Sequence, residues 1–268
     1  MVTCARASPA ANGLSSVISL QSVIGEHSNF FSRDKIVIMT ATTPQVHKRP
    51  GKIIHEILPV GLLQCNCSIV GDTETREALV IDPGDEVDRI LELLRKHQLS
   101  VTAIVSTHAH IDHVGGFRKL HDTTGAPVLM HADDLELYKA LAIQATWIGM
   151  PTPEMTKVES FLKEGDTVRW GPFAAHVYHT PGHTRGSLCL YLPQDAGTIA
   201  LPAPQLFSGD TLFEGSIGRT DLWGGSLDDI LRSIHTKLLA LPDETIVFPG
   251  HGSPTTIGQE RESNPFLK

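Results

Sequence analysis

The chain has 268 residues, 41% hydrophobic and 19% charged, with a formal net charge of -8 at pH 7. That is enough for one large buried core, and the acidic balance argues against a nucleic-acid backbone as the main partner. No run of roughly 18 apolar residues predicts a membrane span, and the four cysteines, at 4, 65, 67 and 189, are too sparse for a disulfide framework, which favours a reducing, intracellular setting.

Residues 1–50 read differently from the rest. They are rich in Ser, Ala and Val, poor in acidic residues, and carry scattered cations at Arg6, Arg33, Lys35, Lys48 and Arg49. This predicts an N-terminal extension outside the folded unit. It is either disordered, upstream of a start at Met39, or a transit peptide that would direct the chain from the cytoplasm to a mitochondrion or plastid.

Residues 51–268 are predicted to form one catalytic domain. Three runs rich in β-branched residues, Ile53–Leu58, Cys65–Val70 and Ala78–Ile81, are separated by turn residues and read as strands. Val87, Ile90, Leu91 and Leu94 fall at i, i+3, i+4 and i+7, the stripe of an amphipathic helix. Val101–Ser106 reads as a buried strand, His113–His121 as a short helix, Pro127–Met130 as a strand and Asp133–Ala145 as a helix. Residues 150–164, with Pro151 and Pro153, read as a loop or a broken connection. Strands are expected at Val168–Trp170, Ala174–His179, Ser187–Leu192, Thr198–Phe207 and Thr245–Phe248. Between the last two, Ser226 and Asp229 form a capping pair ahead of a helix striped by Leu227, Ile230, Leu231, Ile234 and Leu238. Interspersed strands and helices without a repeat suggest two packed sheets with helices outside, an α/β architecture.

Fourteen histidines are an excess whose meaning lies in their placement. Thr107-His108-Ala109-His110-Ile111-Asp112-His113 puts three imidazoles and a carboxylate within six residues, at the end of an apolar strand. Imidazole with carboxylate suits zinc, iron or manganese, and four side chains this close in sequence are expected to divide between two ions. Three further segments place a polar donor beside a glycine turn after a strand: Pro181-Gly182-His183, Ser208-Gly209-Asp210 and Pro249-Gly250-His251. In each, glycine permits a sharp turn and close backbone approach. Cys65 and Cys67 share a strand face without a second cysteine pair, so core packing is expected of them. His131, His176 and His179 show no partners in the sequence.

The HxHxDH segment followed by His183, Asp210 and His251 resembles the metallo-β-lactamase superfamily over nearly all of the chain from Lys52. The resemblance implies a four-layer αβ/βα sandwich, two mixed β-sheets flanked by helices, with two divalent metal ions at one edge. By that match His108, His110 and His183 hold one ion, Asp112, His113 and His251 the other, and Asp210 bridges them. Asp82, in Ile81-Asp82-Pro83-Gly84, would support the metal loop without binding metal. Asp112 and Asp210 are the implied catalytic carboxylates. Cys189 lies outside any matching motif, which disfavours the cysteine-ligated β-lactamases. The segments 209–213 and 216–221 and the ending through Phe266-Leu267 are similar to short-form type II glyoxalases. These are hydroxyacylglutathione hydrolases, so the implied partner is a small thioester, a glutathione conjugate, and neither nucleic acid nor membrane. Arg219 is a candidate for the substrate carboxylate or a brace for Asp221. Arg185 stands where that family usually has Pro, either lining the pocket or as a tolerated turn substitution. The alternative within the superfamily is a persulfide dioxygenase, with a single iron on the equivalents of His108, His183 and Asp210.

Overall fold

The computed structural model describes residues 52–195 and 201–268. The expected extension at residues 1–50 therefore lies outside the described residues. Among the described residues, no helix is long and apolar enough to cross a membrane.

The first half of the described chain builds one six-stranded sheet. Its strands are β1 (Ile53–Val60), β2 (Cys65–Asp72), β3 (Glu77–Ile81), β4 (Ser100–Val105), β5 (Val128–His131) and β6 (Ser160–Leu162), in that spatial order. β1 to β3 pair antiparallel, and β3 to β6 pair parallel. Helices return the chain between the parallel strands, as parallel pairing requires. They are α1 (Val87–Lys96), α2 (Ile111–Val114), α3 (Phe117–Thr124), α4 (Leu135–Lys139) and α5 (Leu141–Ile148). The second half builds β7 (Thr167–Trp170), β8 (Phe173–His179), β9 (Leu188–Leu192), β10 (Gln205–Gly209), a small hairpin of β11 (Leu212–Phe213) and β12 (Ser216–Ile217), α6 (Leu227–Ser233), β13 (Ile246–Pro249), β14 (Thr255–Thr256) and α7 (Ile257–Ser263). Its six-stranded sheet runs β14-β13-β10-β9-β8-β7, with β10 and β13 parallel and the other neighbours antiparallel.

Side-chain alternation sorts these strands into layers. Leu79 and Ile81 of β3 join Val105, Leu129, Trp170, Phe173, Val177, Leu188 and Leu190 in the core between the sheets. Ala78 and Val80, one residue out of phase, pack with Ile90, Leu94, Phe117, Leu120 and Tyr138 beneath the first helical layer. Cys189, Leu206 and Val247 pack outward on Ile230, Ile234, Leu238 and Ile257. Strict period-two alternation on sheets covered on both faces yields helix, sheet, sheet, helix, the expected αβ/βα sandwich.

The departures from expectation are local. The helix expected over 113–121 is two helices, because Gly115 and Gly116 press on the backbone of Ile111, Pro83 and Gly84 and leave no room for side chains. The helix expected from Asp133 breaks at Ala140, after a 3₁₀ turn over Ala132–Asp134. Residues 150–164 are not all loop, since Ser160–Leu162 adds the edge strand β6 to β5. The strand expected at Thr198–Phe207 is Gln205–Gly209; residues 198–200 lie outside the described residues. The capping pair is present, with the Asp229 amide donating to the Ser226 hydroxyl at 3.3 Å. The helix it starts finishes in a π-helical turn over Ile234–Leu238.

His55 on β1 lies edge-on to Phe207 and Phe248, with ring centroids 5.3 and 4.5 Å away. Burial, only partly opposed by Glu56, lowers its pKa to about 4. The unfolded chain then binds a proton near pH 6.5 that the folded chain refuses until about 4. Stability should therefore be highest above pH 6.5 and fall as the pH drops toward 4, by up to about 3 kcal/mol from this residue. Urea midpoints measured across that range should decline less in His55→Phe than in the parent chain.

Candidate metal centre

Four strand ends deliver the predicted donors to one edge of the sandwich. β4 runs into Thr107 and His108, β8 leads to the loop holding His183, β10 ends one residue before Asp210, and β13 ends two residues before His251. The parallel register sets Gly209 beside Pro249, and the Gly250 amide donates to the Gly209 carbonyl at 2.8 Å. Asp210 and His251 are therefore brought together by backbone pairing alone. The two sheets are joined at the same point, where the Leu188 amide donates to the Thr107 carbonyl at 2.7 Å.

All seven predicted donors converge. His110 Nδ1 lies 3.0 Å from His108 Nε2 and 2.9 Å from His183 Nε2, one compact triad. Asp112 Oδ2 lies 3.2 Å from His251 Nε2 and 3.7 Å from His113 Nε2, and the two imidazole nitrogens are 3.3 Å apart. Asp210 stands between the groups. Its Oδ2 is 3.6 Å from His183 Nε2 and 3.7 Å from His251 Nε2, and its Oδ1 is 3.6 Å from His113 Nε2. His108, His113 and His183 are buried, whereas His110, Asp112, Asp210 and His251 are only partly covered, so the cluster opens to solvent on one side.

The outer nitrogens of four imidazoles are already engaged. His183 Nδ1 donates to the Arg219 carbonyl at 2.9 Å and His251 Nδ1 to the Leu63 carbonyl at 3.0 Å. His113 Nδ1 is 3.1 Å from Asp82 Oδ2, and His108 Nδ1 is 3.2 Å from the Thr107 hydroxyl. Such partners fix the tautomer and leave the Nε2 lone pair facing inward, the arrangement a metal-binding histidine needs. Burial, reinforced by neighbouring imidazoles, drives His108 well below its ordinary value and His110 down to about 3, so both stay neutral.

Asp210 Oδ1 is buried without a hydrogen-bond partner. A buried carboxylate oxygen left unpaired is costly, and a cation on either side would satisfy it. The donor set of five imidazoles and two carboxylates fits two borderline divalent ions such as zinc, iron or manganese. Gly250 makes this packing feasible: a Cβ there would stand 2.2 Å from Asp210 Oδ1 and 2.8 Å from His113 Cε1.

Asp82 bonds to the start of the loop. Its Oδ1 accepts from the Thr107 amide and its Oδ2 from the Thr107 hydroxyl, both at 2.7 Å. Its backbone takes the left-handed conformation, φ +52°, which non-glycine residues rarely adopt. Cys65 and Cys67 are buried in the core as expected, and Cys65 Sγ additionally lies 3.5 Å from His113 Nδ1. Arg219 is exposed and forks onto Asp221 through two 2.8 Å contacts, the bracing arrangement, while its carbonyl positions His183. Arg185 is exposed in the turn after His183, and its carbonyl accepts from His179 Nε2 at 2.8 Å.

Sequence reasoning missed Asp134. This buried carboxylate accepts from the Ala109 amide at 2.9 Å, the Gly186 amide at 2.7 Å and the Thr184 hydroxyl at 2.8 Å. It thus ties the His108–His110 loop to the His183 loop. Gln144 does similar work from α5, accepting from the Ile111 amide at 2.9 Å and donating to the Ala109 carbonyl at 3.2 Å. The only sequence signal was an acidic residue just after a strand that runs parallel to the metal-loop strand. Asp134→Ala would leave three donors unpaired, each costing about 1–3 kcal/mol. Chelator competition should find metal affinity reduced by roughly 10–100-fold in that variant, and urea unfolding should find the fold weakened but present.

Known proteins align with this architecture. Residues 60–251 match the family described as the metallo-beta-lactamase superfamily. The chain is 38% identical to the hydroxyacylglutathione hydrolase GloC of Haemophilus influenzae, over 79% of this chain and 97% of that protein. Among solved structures, the BLEG-1 B3 metallo-beta-lactamase superposes with a TM-score of 0.72 at 38% identity, covering 80% of this chain and 99% of that one. The protein TTHA1623, crystallised in a di-iron-bound form, superposes with a TM-score of 0.68 at 40% identity, covering 79% and 100%. With the family match spanning most of the chain and the sandwich carrying its donors at the expected edge, this chain belongs to the metallo-β-lactamase superfamily.

Proposed function

We propose that the chain is a two-metal thioester hydrolase that cleaves glutathione conjugates such as S-D-lactoylglutathione to D-lactate and glutathione. The observation that carries this reading is the unpartnered Asp210 Oδ1 between two clusters of inward-facing donors. His108, His110 and His183 would hold one ion and Asp112, His113 and His251 the other, with Asp210 shared. When bound, such a pair of ions supplies Lewis acidity toward a carbonyl oxygen and lowers the pKa of a coordinated water toward about 7.

The chain's own groups do the rest. Asp112 and Asp210 present carboxylate oxygens into the cluster, where they can orient an attacking water, and Asp112 can receive its proton. Addition of the water oxygen to the thioester carbonyl opens its C=O π bond; collapse of the adduct re-forms that bond and breaks the C–S bond, and the proton leaves with the sulfur as the thiol. Beside Asp112, Leu62, Leu63, Ile148 and Met150 put apolar surface next to the cluster. The name of the Haemophilus relative supports the same substrate class. The one-iron dioxygenase reading leaves His113 and His251 without a role, although both face the same centre with their outer nitrogens held.

Purified full-length chain loaded with metal should consume S-D-lactoylglutathione, followed by loss of thioester absorbance, and a chelator should abolish the reaction. Asp210→Ala should lose at least about 10³-fold in turnover, since it removes a shared ligand and a positioned carboxylate together. Turnover retained in that variant would sink the site assignment. A thioester left intact while oxygen is consumed with glutathione persulfide would favour the dioxygenase. Cleavage of a chromogenic β-lactam instead would favour the activity named for BLEG-1.

A further inference from the structure

A second cluster of metal-binding side chains lies outside the centre described above. His131 is the last residue of β5 and His179 the last of β8, so the two come from different sheets and meet at the same edge of the sandwich. Their rings stack with centroids 4.0 Å apart and planes 11° from parallel. Asp133, in the 3₁₀ turn that follows β5, places Oδ2 3.7 Å from His131 Nδ1. Donor atoms of all three residues lie within 4.8 Å of one another.

From this juxtaposition we infer that His131, Asp133 and His179 form a third, solvent-accessible site for a borderline divalent cation of the zinc class. Two imidazoles with one carboxylate are a zinc-type set that leaves a position for water, and nickel and copper share the preference for imidazole nitrogen. The surroundings suit a cation. Asp133 is exposed, and Glu164, which accepts from the His179 amide at 2.7 Å, adds a second negative charge close by. Lys237 is held by Glu164 and the His179 carbonyl. His179 Nε2 is already bonded to the Arg185 carbonyl at 2.8 Å, which leaves its Nδ1 as the free donor. Burial and the neighbouring His179 ring lower the pKa of His131 against the pull of Asp133, which favours the neutral imidazole. Its Nδ1 accepts from the Asp133 amide at 3.1 Å, and ligation through that atom would replace this bond. Binding would turn the two rings out of their parallel stack so that their lone pairs converge.

The position gives such an ion a structural reach. Asp133 is followed by Asp134, the carboxylate that ties the His108–His110 loop to the His183 loop. His179, through the Arg185 carbonyl, braces the turn that carries His183. A cation here would clamp β5 to β8 beside both loops without touching any of the seven donors.

The test is a count of zinc in the full chain. Parent protein, a His131→Gln/His179→Gln double variant and Asp133→Asn are equilibrated with the same excess of free zinc, desalted and assayed for bound metal. The expected result is about one zinc fewer per chain in the double variant, with Asp133→Asn between the two because it keeps both imidazoles. Asp133 is exposed, so its variant keeps the test valid should the double variant fold poorly. Equal zinc in all three proteins overturns the inference. Making the same substitutions in an Asp210→Ala background separates it from the catalytic reading: the total falls, but the difference of one zinc persists.

Discussion

The Asp82 carboxylate is the contact on which the rest of the centre depends. It accepts from both the amide and the hydroxyl of Thr107 and faces Nδ1 of His113, so it fixes the start and the end of the metal-binding loop from a single buried point. Holding it there requires a left-handed backbone at a non-glycine residue, a strain of order 1–3 kcal/mol that persists only where surroundings over-determine it. The surroundings do so here. The Asp82 amide donates to the Val105 carbonyl at 2.9 Å, and Pro83 and Gly84 pack directly against the α2–α3 junction. Strand β3 thus positions chemistry that it does not itself contribute.

The same division between donors and supports runs through the site. His113 reaches it from α2 and the other four imidazoles from turns, where backbone geometry alone would leave the rings free to rotate. Carbonyls of Arg219 and Leu63, the Thr107 hydroxyl and the Asp82 carboxylate remove that freedom for four of the five rings. Two of these four partners are backbone groups. Their function is therefore independent of the side chains carried at 219 and 63, and Arg219 is free to spend its guanidinium on Asp221.

The donors were legible in the sequence because metal chemistry restricts residue type and clusters it: HxHxDH has few other uses, and three glycine turns ending in His or Asp complete it. The sheets were legible because apolar runs alternate with turn residues. What was not legible depends on contacts distant in sequence. Asp134 is one acidic residue among many until β5 is seen to lie beside β4, and Gln144 is a helix residue until α5 packs against the metal loop. The stack of His131 on His179 joins two strands from different sheets, a pairing that periodicity cannot report. The break between α2 and α3 escaped because the glycines that cause it matter only through their closeness to Pro83 and Gly84.

Each sheet of the sandwich is built from its own continuous half of the chain, and the centre draws donors from both: His108 to His113 from the first half, His183, Asp210 and His251 from the second. Ions held between them act as cross-links closing a loop of many tens of residues, and their binding energy becomes folding energy. Among the described residues, the halves are otherwise joined by the core between the sheets and by hydrogen bonds such as those of Asn66 to Pro249 and Gly252 and of the Gly171 amide to Glu77. With metal, neither half can open without surrendering ligands. Bound metal would then couple the two halves as well as complete the site, since opening either half would break ligands held by the other.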